Sequence, residues 1–317
     1  SLRTRINAAV GLFTVAGSLI FWLVPVILFR VYGTTGFTQG TLTVIVWLYT
    51  ALMLPSVMCI LHYIPNRPLA WTTAPTLRGL VHSLKRNRPL TLYFLTIGLW
   101  SIGQGIWLST TFFFLNDYLR VGSAFPFVMI VFFLSTIMAI PLWERSERWL
   151  ERRDIWAISI ILAAVTRPLA LLPAPGMQSL PIILLLTALG GALSAPTNFA
   201  PAAILGDVVD YDIWKTWTNK SGVLYALSTL ITKTTLAMGS GAGFVILGWV
   251  HYNAGQINHG LPLIGLLSCY TFLCGIPQGI AATIIFRFPI GRREHALIRR
   301  RLHGRRMSSE YAPEHDA

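Results

Sequence analysis

The sequence predicts an all-α, polytopic membrane protein with eight transmembrane helices. Two observations carry that prediction: the composition is too apolar for a protein that only water surrounds, and the apolar residues fall into stretches long enough to cross a bilayer. The chain has 317 residues, of which 54% are hydrophobic and 12% are charged. A soluble domain of this length carries roughly twice that charged fraction.

The apolar stretches have the length that a bilayer requires, which is about 20 residues for a helix. The eight stretches are 8–29, 41–64, 90–115, 125–143, 155–173, 181–206, 222–250 and 261–285. Strands of a membrane barrel alternate apolar and polar residues, and these stretches do not. They are therefore expected to be helices, since lipid offers no partner for unpaired backbone groups.

The net charge of the chain is +13, and the placement of its basic residues predicts the membrane topology. Alternate connections between the predicted spans are rich and poor in basic residues. The rich set holds Arg3, Arg5, Arg67, Arg78, Lys85, Arg86, Arg88, Arg145, Arg148, Arg152, Arg153, Lys215, Lys220 and an arginine-rich tail. The poor set holds Arg30 and Arg120. This is the positive-inside pattern, which predicts two cytoplasmic ends and contact with membrane lipid, and gives no support for nucleic-acid binding.

Four segments follow from the spacing of the spans. Residues 65–89 contain three prolines and a basic second half, which indicates a cytoplasmic linker. Residues 1–64 hold two spans before it, residues 90–287 hold six spans after it, and residues 288–317 form a basic cytoplasmic tail. Six spans make one complete half of several transporter folds, while two are a remnant. Because the chain starts at Ser1 rather than Met, we expect it to be the later part of a longer protein.

The sequence lacks motifs that are typical of enzyme active sites or metal sites. No His-Glu-x-x-His pattern occurs, so the sequence predicts neither a catalytic residue nor a metal site, and an enzyme is disfavoured. Cys59, Cys269 and Cys274 lie within predicted spans, and we expect all three to be packing residues. The acidic and basic residues of 144–154 are expected to pair at the cytoplasmic interface.

One polar cluster, "GDVVDYDIWKTWTNKSG" at residues 206–222, separates the sixth and seventh spans. Asp207 and Asp210 stand at the end of the sixth span. The partial negative charge of a helix C-terminus disfavours a carboxylate there by roughly 0.3–1 kcal/mol, so basic partners are expected. Arg3 and Arg5 lie on the same predicted membrane face.

Lys233 stands about eleven residues inside the seventh span, at a depth of about 16 Å. A lysine at mid-bilayer costs about 2.5–3.5 kcal/mol, so this one should face a cavity or a partner. Tyr225 and Thr229 share its helix face, at spacings of four residues. The three glycines that follow, Gly239, Gly241 and Gly243, predict close helix packing.

These residues together resemble a known family. Asp-Val-Val-Asp-Tyr, a lysine five residues after the second Asp, Ser-Gly before Tyr225, and Lys233 resemble the glycoside–pentoside–hexuronide:cation symporters of the melibiose-carrier type. That family lies within the major facilitator superfamily. The start "RTRINAAVGLFTVAG" is similar to the region before the fifth span of the family. The likeness is specific at 206–233 and rests elsewhere on hydropathy and loop order.

The resemblance implies a fold of the major-facilitator type, with twelve spans in two halves, a sugar site between the halves and alternating access. Eight of the expected twelve spans are present, and four would precede Ser1. In the family, the carboxylates that bind Na⁺ or H⁺ lie mainly on those early spans. Apart from this coupling cation, no cofactor is expected. Lys233 matches the family lysine that lies beside those carboxylates, and Thr229 matches a polar residue near the same site. Asp207 and Asp210 match acids of the inner gate, where Arg3 and Arg5 are candidate partners. A bacterial inner membrane is the expected location.

The chain also departs from the family pattern. Ile213 stands where an acid is frequent, Lys220 is the nearest cation to the usual arginine position at 219, and Asn198 replaces a tryptophan. These differences predict a thinner gate network and argue against melibiose as the substrate.

Further candidates for the sugar site lie on the third and sixth spans. Trp100, Gln104 and Trp107 share one face with Thr111, and a sugar site needs aromatic faces together with hydrogen-bonding amides. Helix packing and an interfacial tryptophan belt are the alternative. Asn198 either bonds across helices or lines the pathway. Arg167, in the outer third of its span, is expected to reach the outer surface.

The leading interpretation is therefore cation-coupled symport of a sugar or glycoside. One alternative is a carrier of a lipid-like or other organic solute. Another is a fragment that is inactive alone, because half a transporter holds half a site.

Overall fold

The computed structural model describes residues 2–32, 38–63, 87–216, 218, 220–291, 294 and 297. At 2–9, 29, 30 and 32 it describes the backbone alone. The described residues are helical or irregular, and none of them belongs to a strand. Most of the predicted linker and of the predicted tail lies outside them.

Ten helices of eight residues or more occur in the described part of the chain. They are α1 (Leu2–Tyr32), α2 (Gln39–Tyr63), α3 (Arg88–Phe113), α4 (Phe125–Ser146), α5 (Arg152–Thr166), α6 (Leu180–Ser194), α7 (Ala200–Thr216), α8 (Ser221–Trp249), α9 (Leu261–Ser268) and α10 (Gly275–Phe286). Short turns extend or join them: a π-turn at Phe114–Tyr118, 3-10 turns at Arg167–Leu171 and Ala195–Asn198, and a π-turn at Cys269–Leu273.

Each of the eight predicted stretches contains a helix among its described residues, which confirms the all-α, membrane-spanning fold class. Seven helical segments of the described chain are long and apolar enough to cross a membrane. The eighth stretch, α3, is not among them, because polar residues such as Ser101 and Gln104 lower its hydropathy. This helix packs against α8 and α10, and 13 of its 26 residues are buried. Neighbouring helices therefore cover much of the surface that an outer helix would show to lipid.

The six spans from α3 to α10 form one bundle. Its main contacts are α3 with α8 and α10, α4 with α6, and α5 with α10. A buried core of large side chains, including Trp156, Tyr93 and Phe199, fills one end of the bundle. The hydroxyl groups of Tyr93 and Ser228 lie 3.1 Å apart and form a hydrogen bond between α3 and α8.

The two preceding helices lie against the outside of this bundle. Helix α1 packs on α4 and also touches the start of α7. Helix α2 packs on α1, and Thr41, at its first turn, is its one buried residue among those described. Cys59 is exposed on α2, so its predicted packing role is wrong, because no helix of the described chain covers that face. Cys269 and Cys274 are buried, as expected.

Helices α3 and α8 approach each other through glycines. A Cβ atom on Gly105 would lie 2.1 Å from the Leu236 carbonyl oxygen, and one on Gly239 would lie 2.1 Å from the Ile102 carbonyl oxygen. Gly243 meets the Ser109 hydroxyl in the same way. The packing predicted for Gly239 and Gly243 is confirmed. It is wrong for Gly241, which faces open space because it lies on the opposite side of α8.

Candidate functional site

A cavity opens between α3, α4, α5, α6 and the Cys269–Leu273 turn. It encloses about 790 Å³, counted with the open space at its mouth. Two predicted sugar-site residues, Gln104 and Trp107, both line it.

One wall of the cavity is aromatic. The rings of Phe114 and Tyr270 are stacked, with centroids 3.8 Å apart and planes at 5°. Trp107 lies 6.5 Å from Tyr270 and 5.7 Å from Phe132, measured between ring centroids. Trp107 and Phe114 are seven residues apart on α3 and its π-turn, which places both on one face of the helix. Flat apolar faces of this kind suit the C–H surface of a sugar ring.

Polar groups also line the cavity. The hydroxyls of Thr111, Thr166 and Ser194 donate to carbonyls of their own helices, at 2.6, 2.8 and 2.8 Å. Their lone pairs remain available as acceptors. Within the described part of the chain, the amide of Gln104 has no hydrogen-bond partner, so it can both donate to and accept from a ligand.

Arg167 points into this cavity, and the expectation that it reaches the outer surface is wrong. Its Nη1 donates to Cys274 Sγ at 3.0 Å, and its guanidinium carbon lies 5.6 Å from the centroid of the Trp107 ring. The aromatic face and the thiol supply interior partners, which explains the inward orientation. The sequence alone does not show that Arg167 points inward, because the direction of its side chain depends on the neighbouring helices.

The other predicted sugar-site residues lie elsewhere. Trp100, near the middle of α3, is partly buried and packs against the core that includes Trp156 and Phe199. Asn198 lies where α1 crosses the start of α7: a Cβ on Gly11 would be 2.9 Å from the Asn198 carbonyl oxygen. Its amide is 3.4 Å from the Ala195 carbonyl oxygen, which is a weak contact.

Tyr225, Thr229 and Lys233 share one exposed face of α8, as the spacing predicts. The Thr229 hydroxyl donates to the Tyr225 carbonyl at 3.1 Å. No ion pair to Lys233 is present among the described residues. This face is separate from the lining of the cavity, so the structure divides the predicted site between two surfaces.

Charged residues gather at one end of the bundle. Arg152 Nη1 lies 3.3 Å from Asp207 Oδ2, and Arg152 Nε lies 3.5 Å from Glu147 Oε1. Arg153 pairs with Glu151 at 2.8 Å and donates to the Phe288 carbonyl. The pairing predicted for the 144–154 connection is confirmed. The side chains of Arg3 and Arg5 lie outside the described ones, and their gate role stays a prediction.

The same end contains two buried acids, Asp210 and Asp212, with 8% and 1% exposure. Asn87 Nδ2 donates to Asp212 Oδ1 at 2.9 Å, while Asn87 Oδ1 accepts from the Leu90 amide at 3.2 Å. Asn87 therefore caps α3 and ties it to α7. Sequence reasoning missed this link, although an asparagine two residues before a proline is a helix-start signal.

At the opposite end, Asp117 joins α3 to the loop after α8. Its Oδ2 accepts from the Tyr252 hydroxyl and, at 3.1 Å, from the Gly255 amide. Burial raises the pKa of Tyr252 above its usual range, and the hydrogen bond to Asp117 acts in the same direction. The phenol therefore keeps its proton and remains a donor in alkaline solution.

Comparison with known proteins agrees with this architecture. The family model described as "MFS/sugar transport protein" matches residues 1–292. No curated protein matches the sequence at a significant level. The model covers most of the chain, including every described helix. The chain therefore belongs to the MFS/sugar transport protein family and is a multi-pass membrane transporter of the major facilitator superfamily.

Proposed function

We propose that the protein is a secondary active transporter that couples the uptake of a sugar or glycoside to Na⁺ or H⁺ by alternating access. The observation that carries this proposal is the position of Gln104 beside Trp107 in one cavity. A sugar presents an apolar C–H face and a ring of hydroxyls, and a site for it needs both kinds of partner because each buried hydroxyl requires a hydrogen bond.

In this proposal the sugar ring stacks on Trp107 or on the Tyr270 edge of the aromatic wall. Gln104 donates to one hydroxyl and accepts from another. The free lone pairs of Thr111 and Ser194 accept from further hydroxyls. The substrate is therefore oriented by a few polar contacts within a mostly apolar cavity, which is the usual design of a small-molecule site.

Coupling would involve the exposed face of α8. A lysine at this depth is costly in lipid, so the exposure of Lys233 favours a protein partner over hydrocarbon. We propose that it faces the cation-binding carboxylates of the first half, with Thr229 and Tyr225 beside it. Cation binding would then raise the affinity for sugar, and sugar binding would raise the affinity for the cation by the same factor.

Cycling would involve the cytoplasmic end of the bundle. As the two halves rock against each other, ion pairs from Asp207 and Asp210 to Arg3 and Arg5 would form and break. Both ends of the chain would lie on the cytoplasmic side of a bacterial inner membrane, where the basic surface contacts anionic lipid.

A carrier of a lipid-like solute is the second candidate. The apolar part of the cavity lining, with Leu115, Val128 and Ile183, favours it. Competition between labelled sugar and lysolipid for uptake separates the two.

The test is uptake of labelled sugars into proteoliposomes that hold the protein expressed from its complete gene. We expect uptake to rise with an inward Na⁺ or H⁺ gradient, and Gln104→Ala to lower it. Gln178→Ala is the matched control, because Gln178 is an exposed glutamine outside the cavity. Uptake that ignores both gradients would exclude coupling, and uptake of lysolipid alone would exclude the sugar.

A further inference from the structure

The cavity carries one charge. Of the described residues that line it, Arg167 is the one with a charged side chain, and no aspartate or glutamate is among them. The rest of the lining is aromatic, aliphatic or neutral polar. The electrostatic character of the cavity is therefore set by a single guanidinium group.

That guanidinium has neutral partners only within the described part of the chain. Cys274 Sγ accepts one of its N–H groups at 3.0 Å, and the Trp107 ring lies beneath it at 5.6 Å. A thiol is a weak acceptor, and a ring face offers electron density without a formal charge. Neither replaces the water that a partly buried cation loses, so the site favours a negatively charged ligand.

The geometry of the group also suits an incoming ligand. A guanidinium has five N–H donors in a planar fork, and the contact to Cys274 uses one of them. The remaining donors match the spacing of two oxygens on a carboxylate or phosphate group. Contact with the Trp107 ring, 5.6 Å from the guanidinium carbon, restricts the motion of the side chain and so reduces the entropy lost when an oxyanion binds.

The position of Arg167 relates this charge to the proposed sugar site. It touches Trp107, and the same cavity contains Gln104. An anionic substituent at Arg167 would leave the sugar ring against the aromatic wall and its hydroxyls near the amide. The charged group and the neutral ring of such a ligand would each have separate partners in the same cavity.

We propose that Arg167 is a specificity-determining residue that binds an oxyanion group, carboxylate or phosphate, on the transported solute. This inference rests on the proposed function and deepens it, because it assigns an acidic rather than a neutral sugar to the cavity. In this proposal Trp107 contacts the guanidinium and stacks on the sugar ring, and Gln104 forms hydrogen bonds with the hydroxyls of the sugar.

The test measures binding to the purified protein by isothermal titration calorimetry with three probes: methyl β-glucoside, glucuronate and glucose 6-phosphate. We expect at least one acidic probe to bind about tenfold or more tightly than the neutral one, as charge-assisted hydrogen bonds are stronger than neutral ones. Preference for glucuronate identifies a sugar acid as the solute, and preference for glucose 6-phosphate identifies a sugar phosphate. Either result supports the proposal.

Variants assign the effect to this residue. Arg167→Gln should abolish the preference, so that this variant binds the acidic and the neutral probes with affinities within about threefold of one another, because the charge-assisted contact is lost. Arg167→Lys should keep part of the preference, since charge is retained but the fork is lost. Arg120→Gln, an exposed arginine at the outer end, is the matched control and should change nothing. Circular dichroism and gel filtration of each variant check the fold.

Two outcomes overturn the proposal. Equal affinity for acidic and neutral probes in the wild type, or an acidic preference that survives in Arg167→Gln, would remove Arg167 from recognition and leave sugar transport standing. Absence of binding for all three probes, with binding of lysolipid, would overturn the proposed sugar function together with this inference. The two failures are therefore distinguishable.

Discussion

Arg152, at the start of α5, forms an ion pair with Asp207 of α7, with 3.3 Å between Nη1 and Oδ2. Both side chains are largely buried, with 21% and 15% exposure. The pair joins two helices of the same six-helix bundle. It therefore gives Asp207 a partner inside its own half, in addition to any partner across the transporter.

The first prediction concerns this pair. Arg152→Gln and Asp207→Asn should each lower stability, and a double-mutant cycle should give a coupling of about 1 kcal/mol, toward the upper end for partly exposed pairs. Thermal unfolding in detergent measures it. A coupling near zero would show that the contact contributes nothing to the stability of the bundle.

The second prediction concerns the inner gate. Asp210→Lys should impair uptake, because a buried acid becomes a cation at an end of the bundle that contains several arginines. If the gate crosses the two halves, Arg3→Glu or Arg5→Glu should partly restore the uptake of the Asp210→Lys protein. Labelled-sugar uptake into proteoliposomes is the measurement. Failure of every cytoplasmic arginine reversal to rescue it would count against an inter-half gate.

The third prediction concerns Lys233. Lys233→Ala should abolish or uncouple transport while the protein still inserts, since the ammonium is expected to act on the cation-binding carboxylates. Uptake with and without a cation gradient, at equal membrane abundance, measures it. Thr234→Ala, at the next exposed position of α8, is the control. Near-normal coupled transport by Lys233→Ala would remove this lysine from the site.

The fourth prediction concerns the packing of α3 on α8. Gly239→Ala should destabilise the bundle by about 1–3 kcal/mol, because the added methyl overlaps the Ile102 carbonyl and forces the helices apart. Gly241→Ala should be neutral or slightly stabilising, because its methyl enters open space and alanine favours the helix. Thermal unfolding of the two variants compares them directly. Similar melting temperatures would contradict the close approach at Gly239.

The fifth prediction concerns Asn87, which makes two separable contacts. Asn87→Ala should cost about 1–3 kcal/mol, because it removes a helix cap and leaves a buried carboxylate oxygen of Asp212 without its donor. Asn87→Ser keeps the cap but is too short to reach Asp212. Serine should therefore recover only part of the stability lost to alanine. Full recovery by serine would mean that the bond to Asp212 is energetically unimportant.

The sequence was informative where the physical cause is local. Apolar stretches of span length became helices, because a bilayer accepts few other conformations. The face shared by Gln104, Trp107 and Thr111 followed from helical periodicity, and all three residues meet in the cavity. The acids and arginines of 144–154 paired because they are close in the chain and lie at the same interface.

Contacts between distant segments of the chain were harder to predict from the sequence. Arg167 was expected at the outer surface, yet it turns toward α3 and the Cys269–Leu273 turn, which supply Trp107 and Cys274. Gly241 was grouped with Gly239 and Gly243, but spacings of two residues along a helix place it on the other side. Asn87 and Asp212 are 125 residues apart, and neither pattern indicated the other.

By itself, then, the sequence determined the all-α, membrane-spanning fold class and the helix faces that carry polar residues. Only the tertiary structure decided which of those faces meet in one cavity, where Asp207 finds a cation, and which way Arg167 points. The physical reason is that periodicity and hydropathy act within one helix, whereas a cavity is a space between several helices, and its lining depends on their packing.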